Sequence, residues 1–298
     1  MKKLGYIVYG LVGAGLVLTG FMTTEKGFKE NDRTDLDRVA EDYKELGDMG
    51  FKGFCPTDYK VAFSSGDKDV VVDYNGGDYM VSERDAVYEG LVGSVYQNGD
   101  EFEVVVPEYD TWITLQAGSG EQLSAVIWHE SFHAYQNEYC KLYETVDSAM
   151  LGETELSSEV DNNKEAKRLY EKELQILAQL ADEENSCDVH EIAIEYISVA
   201  EERNSLLSEE VNRSEAFYEM TEGSAYYVES NAVRYENGEQ VYRDNYLKNA
   251  ADYSDGNAKY YHHGMLECML LDELDPEWKD SYSFDRSLDE VIVEYAVN

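Results

Sequence analysis

Residues 124–135 read Ser124-Ala125-Val126-Ile127-Trp128-His129-Glu130-Ser131-Phe132-His133-Ala134-Tyr135. The two histidines stand four apart, and on an α-helix positions i and i+4 share one face a turn apart. Both imidazoles can therefore address one ion from rigid backbone, with Glu130 beside it to take a proton from water. Only five histidines occur in the 298 residues, so a chance match is on the order of one in a hundred by composition. Uncharged residues at 126, 127, 131, 132 and 134 bury the helix and leave His129, Glu130 and His133 as its ionisable wall.

Zinc bound by two histidines needs a third protein ligand and an open position for water. Glu222 is the leading candidate, in Tyr218-Glu219-Met220-Thr221-Glu222-Gly223-Ser224-Ala225-Tyr226-Tyr227-Val228-Glu229. As a regular helix this segment puts Glu219, Glu222, Tyr226 and Glu229 on one stripe, and small Gly223 and Ala225 would let it approach the 124–135 helix closely. Carboxylates 219 and 229 could then orient the ligating histidines from behind. Glu153, in Leu151-Gly152-Glu153-Thr154-Glu155, stands nearer in sequence but lacks that small-residue context. Solvated surface charge is the plain alternative for each of these glutamates.

On these residues the chain resembles the zincin metallopeptidases, and the Glu222 segment looks like the glutamate helix of the gluzincins. The resemblance implies a Zn²⁺ held by His129, His133 and Glu222, and a peptide or protein substrate. It implies that water made acidic by the metal gives its proton to Glu130 and attacks the peptide carbonyl. The metzincin continuation is absent, because Gln136 and Tyr139 stand where that clan has Gly and His. A donor must also steady the developing oxyanion. The run Tyr260-Tyr261-His262-His263 offers Tyr261 and His262, placed after the glutamate segment as in several gluzincin families; plain packing is the competing role. His190 with Glu191 and Glu195 lacks a second histidine and reads as a helix start.

Upstream, the periodicity predicts a helix over 32–46 from Leu36, Val39, Ala40 and Tyr43. Strands are expected at 60–64, 69–73 and 79–82, divided by Ser65-Gly66-Asp67 and Asn75-Gly76-Gly77-Asp78, and again at 102–106 and 111–116. The last of these would be the edge on which an extended substrate pairs. Helices are expected over 121–139, 164–181, 189–207, 213–233 and 258–274. Strands followed by helices, without βαβ alternation, predict an α+β fold: a small antiparallel sheet followed by a mostly helical zincin-like catalytic domain over residues 27–298.

A formal net charge of −39 disfavours a nucleic-acid partner, since a phosphate backbone would be repelled. It fits a solubility role or a salty habitat, and less directly a cationic substrate. At the start, Lys2 and Lys3 precede an uncharged apolar run from Leu4 to Met22. Residues 1–26 thus read as a signal peptide or a single membrane anchor, and the lysines put the rest outside the cytoplasm. Leu18-Thr19-Gly20 is followed by Phe21 where a lipoprotein box has Cys, so no lipid is expected there. Cys55, Cys140, Cys187 and Cys268 could pair in that compartment or stay as buried thiols. Two other function classes remain open: a zinc-bearing module without efficient turnover, and a different HExxH hydrolase with a cysteine ligand such as Cys140 or Cys187.

Overall fold

The computed structural model describes residues 28–75, 78–88, 93–115, 122–140, 150–181 and 188–297. The fold is mixed α+β, with one sheet toward the N-terminal side and a mostly helical remainder. The chain divides into two compact units, Met1–Gly47 with Cys55–Glu138, and Asp48–Phe54 with Tyr139–Asn298. The N-terminal apolar run lies outside the described residues, and among those residues no helix is long and apolar enough to cross a membrane. Cys140 beyond its backbone, and all of Cys187, also lie outside; Cys55 and Cys268 are free thiols.

In the first unit, α1 (Glu30–Leu46) buries Leu36, Val39 and Ala40 at helical spacing and stops at Gly47, whose φ of +59° suits a residue without Cβ. Five strands follow: β1 (Lys60–Ser64), β2 (Lys68–Asn75), β3 (Asp78–Asp85), β4 (Ser94–Asn98) and β5 (Glu101–Pro107), in the order β3-β2-β1-β5-β4. The sheet is mixed, not antiparallel: β1 pairs in parallel with β5, Val61 opposite Val104 and Phe63 opposite Val106. The residues explain it, because these two central strands are buried along nearly their whole length, Val61 to Ser64 and Glu103 to Pro107. Strands buried on both faces read as continuous apolar runs, which suits parallel neighbours. The β3 edge is exposed and carries Glu83, Arg84 and Asp85, charges that discourage pairing with another chain.

Two expectations fail in this unit. The strand expected over 111–116 is instead α2 (Tyr109–Leu115); Gln116 falls outside the described residues. Pro107 ends β5, the Tyr109 amide donates to Asp32 Oδ1 (2.6 Å), and Glu108 O accepts from the amides of Thr111 and Trp112 (2.9 Å each). These bonds start a helix and sink Trp112, overriding the strand preference of Thr111, Trp112 and Ile113. The actual partner of β5 is β4, joined by a turn at Gly99 (φ +68°). Next comes α3 (Leu123–Cys140), in which every residue from Leu123 to Gln136 is buried. Replacing its Phe132 with Ala would cost about 3–5 kcal/mol, the usual range for emptying a buried aromatic site.

The second unit is helical: α4 (Glu153–Asn162), α5 (Lys164–Leu177), α6 (Val189–Asn204), α7 (Glu209–Tyr218), α8 (Ser224–Asn237), α9 (Glu239–Tyr242), α10 (Ala258–Leu274) and α11 (Leu288–Val297). Side chains cap three starts. Asn163 accepts from the Ala166 amide, Asp188 from His190 and Ser208 from Val211, satisfying donors a first turn leaves open. His190 is thus a first-turn residue, as its sequence context implies. The helix expected over 213–233 is not continuous, because Glu219–Gly223 form a π-helical turn between α7 and α8. At its centre runs α10, packed against that turn, α8, α11 and α5. Gly223 and Gly264 make the crossing possible: a Cβ on Gly223 would lie 2.3 Å from Gly264 Cα, and one on Gly264 would lie 2.0 Å from Glu219 O. The small residue therefore serves contact with α10, where the sequence reading assigned it to the 124–135 helix.

Candidate metal centre

The geometry of α3 follows from its sequence: His129 and His133 one turn apart bring their Nε2 atoms to 3.1 Å, ring centroids 4.7 Å apart. Both are buried. His133 Nδ1 lies 2.8 Å from Gln136 Oε1, and since that oxygen can only accept, Nδ1 carries the hydrogen and Nε2 presents its lone pair. Gln136 is a positioning residue that the sequence reading used only to exclude the metzincins. Ser131, between the two histidines, donates to Pro56 O (3.4 Å).

Glu130 is buried in the same unit, and its carboxylate abuts the chain just before β4. A Cβ on Gly93 would lie 2.5 Å from Glu130 Oε1 and 3.1 Å from Val126 Cγ1, so only glycine leaves this carboxylate its place. The chain beside the glutamate leads directly into β4, an edge strand of the sheet, and not into the segment expected at 111–116.

Glu222 lies on the π turn and is buried. His129 and His133 are buried donors of the first unit that could hold a metal ion, and Glu222 is a buried carboxylate of the second. The donor set fits: two neutral imidazole nitrogens and a carboxylate oxygen suit a borderline divalent cation such as Zn²⁺. Glu153 opens α4 as its first residue; its side chain lies outside the described residues. No cysteine joins either His/Glu cluster among the described residues; Cys55 lies 3.3 Å from Thr57 Oγ1, and burial pushes the Cys268 thiol up.

The stripe expected for Glu219, Glu222, Tyr226 and Glu229 does not form. A π turn (i→i+5) widens the helix, so residues three apart no longer share a face. Glu219 accordingly joins His263 and Glu267 in a second cluster. Its Oε1 accepts from Tyr170 OH (2.8 Å), and Glu229 Oε1 accepts from Tyr246 OH (2.7 Å). Tyr261 and His262 gather around the Tyr226 ring, at 5.9 and 5.5 Å between centroids, and Tyr226 also meets Tyr246 at 4.9 Å. Burial lowers the His262 pKa, so that ring is neutral at pH 7 and keeps one N–H to donate. Tyr226 was legible only as the third residue of the supposed stripe. No protein-family model, curated protein or solved structure matches this chain.

Proposed function

We propose that the chain is a zinc-dependent, gluzincin-like metallopeptidase, exported by its N-terminal segment, with His129, His133 and Glu222 as ligands and Glu130 as general base. The observation that carries the reading is the pair of buried Nε2 atoms 3.1 Å apart, one ring fixed by Gln136, with Glu130 buried on the same helix. Zn²⁺, when bound there, supplies a Lewis acid that polarises a carbonyl and acidifies water. Glu130 takes the proton of the attacking water and passes it to the departing amine, restoring its own charge. The backbone at Gly93 lies close against the Glu130 carboxylate, which keeps its oxygen aimed during that transfer. An extended peptide adding to the open side of β4 would lie along the strand whose approach passes Glu130. Tyr261 or His262 donates to the oxyanion.

The test is metal content and hydrolysis of an unfolded protein by the chain lacking residues 1–26, beside its Glu222→Gln and Glu153→Gln variants. Zinc and activity should both be lost in Glu222→Gln and kept in Glu153→Gln. The reverse result would move the third ligand to Glu153, and a wild type that hydrolyses nothing despite bound zinc would reduce the chain to a metal-binding module.

A further inference from the structure

In the helical unit, the π turn and α10 bring together a second set of donors that the peptidase reading does not use. Glu219, His263 and Glu267 each offer a ligand atom within 4.8 Å of the others, and all three are at most 5% exposed. His263 Nδ1 lies 3.2 Å from Glu219 Oε1 and 3.6 Å from Glu267 Oε2. Ligands about 2.1 Å from a common tetrahedral ion stand about 3.4 Å from one another, so these separations suit an ion's shell. His263 Nδ1 and Glu267 Oε2 are fully buried and meet only the ion pairs of this cluster, without a well-formed hydrogen bond. Buried polar atoms left so are costly unless a further partner meets them.

The far sides of His263 and Glu267 are braced, and the Glu219 oxygen that faces His263 is itself held by a hydroxyl. His263 Nε2 is 3.2 Å from Glu173 Oε2, Tyr170 OH donates to Glu219 Oε1 at 2.8 Å, and Tyr196 OH donates to Glu267 Oε1 at 2.6 Å. A carboxylate behind a histidine and hydroxyls behind carboxylates are the usual outer partners of metal ligands. Charge points the same way. Four buried carboxylates, Glu173, Glu215, Glu219 and Glu267, face Arg203 and His263, while the buried Lys259 near Glu215 is already paired with Asp161. With His263 protonated, two negative charges stay unmatched in a dry interior; a divalent cation on a neutral His263 leaves one. Burial pushes Glu215 and Glu219 up to about 7, the mark of carboxylates short of positive charge.

We propose that Glu219, His263 and Glu267 form a second site for a divalent transition ion of the Zn²⁺ or Mn²⁺ class, one that pins α10 to the π turn. The inference is independent of the His129 site. Its test is the metal-to-protein ratio after equilibration with Zn²⁺, and separately with Mn²⁺, followed by removal of loose ions. Wild type should hold two zinc ions, the H129A/H133A double variant one, and Glu267→Gln one. Tyr196→Phe, which removes only a brace, should keep the fold and weaken the second ion's binding about tenfold; unchanged affinity for both ions in that variant would count against the site. A folded H129A/H133A variant that retains no ion of either kind overturns the proposal. A single ion in wild type that survives H129A/H133A and disappears in Glu267→Gln would instead support it while removing the peptidase reading.

Discussion

The two buried histidine clusters differ in what stands behind the ring. His133 is backed by Gln136, a neutral amide on its own helix, whereas His263 is backed by the Glu173 carboxylate from another helix. A neutral partner fixes the tautomer and adds little electron density, which leaves a bound metal a strong Lewis acid. A carboxylate partner makes the imidazole more basic and tends to charge it. Accordingly, although burial opposes the imidazolium of His263, Glu219 and Glu267 outweigh it and hold that pKa well above its usual value. On the proposed readings, the cluster backed by Gln136 serves to polarise a substrate and the one backed by Glu173 to bear load.

The largest effect expected on this contrast comes from Glu130→Gln, which should lower peptide hydrolysis about 10³-fold at unchanged metal content, measured by single-substrate kinetics and elemental analysis. A variant that turns over normally would erase the catalytic half of the comparison. Gly93→Ala should follow, with kcat reduced about 10²-fold and metal retained, because a methyl 2.5 Å from Glu130 Oε1 must displace the carboxylate. Gln136→Leu sharpens the contrast behind the ring: zinc affinity should fall about tenfold at the His129 site, read by chelator competition. Gly264→Ala tests the bearing half, since its Cβ would meet Glu219 O at 2.0 Å; about 1–3 kcal/mol of stability should be lost in denaturant unfolding.

The smallest effect is a pH dependence in the sheet unit. Burial pushes Asp32 and Asp35 up to about 6 from 3.8. A carboxylate whose folded pKa is raised binds more protons folded than unfolded, so its contribution is fully present below 3.8 and lost as pH rises through about 6. Asp35→Asn should therefore gain on wild type between pH 4 and 7, by about 2–4 °C in Tm at the upper end. A constant offset between the two melting curves would refute it.

What could be read in advance was whatever local chemistry dictates. Leu36, Val39 and Ala40 placed α1, Ser65-Gly66-Asp67 separated β1 from β2, and the i, i+4 spacing of His129 and His133 fixed the direction of their rings. What escaped was set by distant partners. Asp32 and Trp112 turned an apparent strand into α2, and the Asn98-Gly99 pair, a hairpin signal, went unread beside β4. The need for glycine at 93 arises from Glu130, remote in the chain, and leaves no local trace. His263, grouped in sequence with Tyr261 and His262, faces inward to carboxylates from α5, α10 and the π turn. The π turn itself adds a single residue to a run that otherwise reads as uninterrupted helix, and composition cannot reveal that.

That extra residue has a consequence for how this chain tolerates change in length. Glu219–Gly223 is a helix with one residue too many, and its surplus is what sends Glu219 one way and Glu222 another. Deleting Thr221 would let α7 and α8 fuse into regular helix with their outer turns close to their present phase, because a π turn spends one residue more on the same full rotation. A deletion inside an ordinary helix turns everything after it by about 100°; here the backbone would heal, and the loss would fall on how Glu219 and Glu222 are aimed.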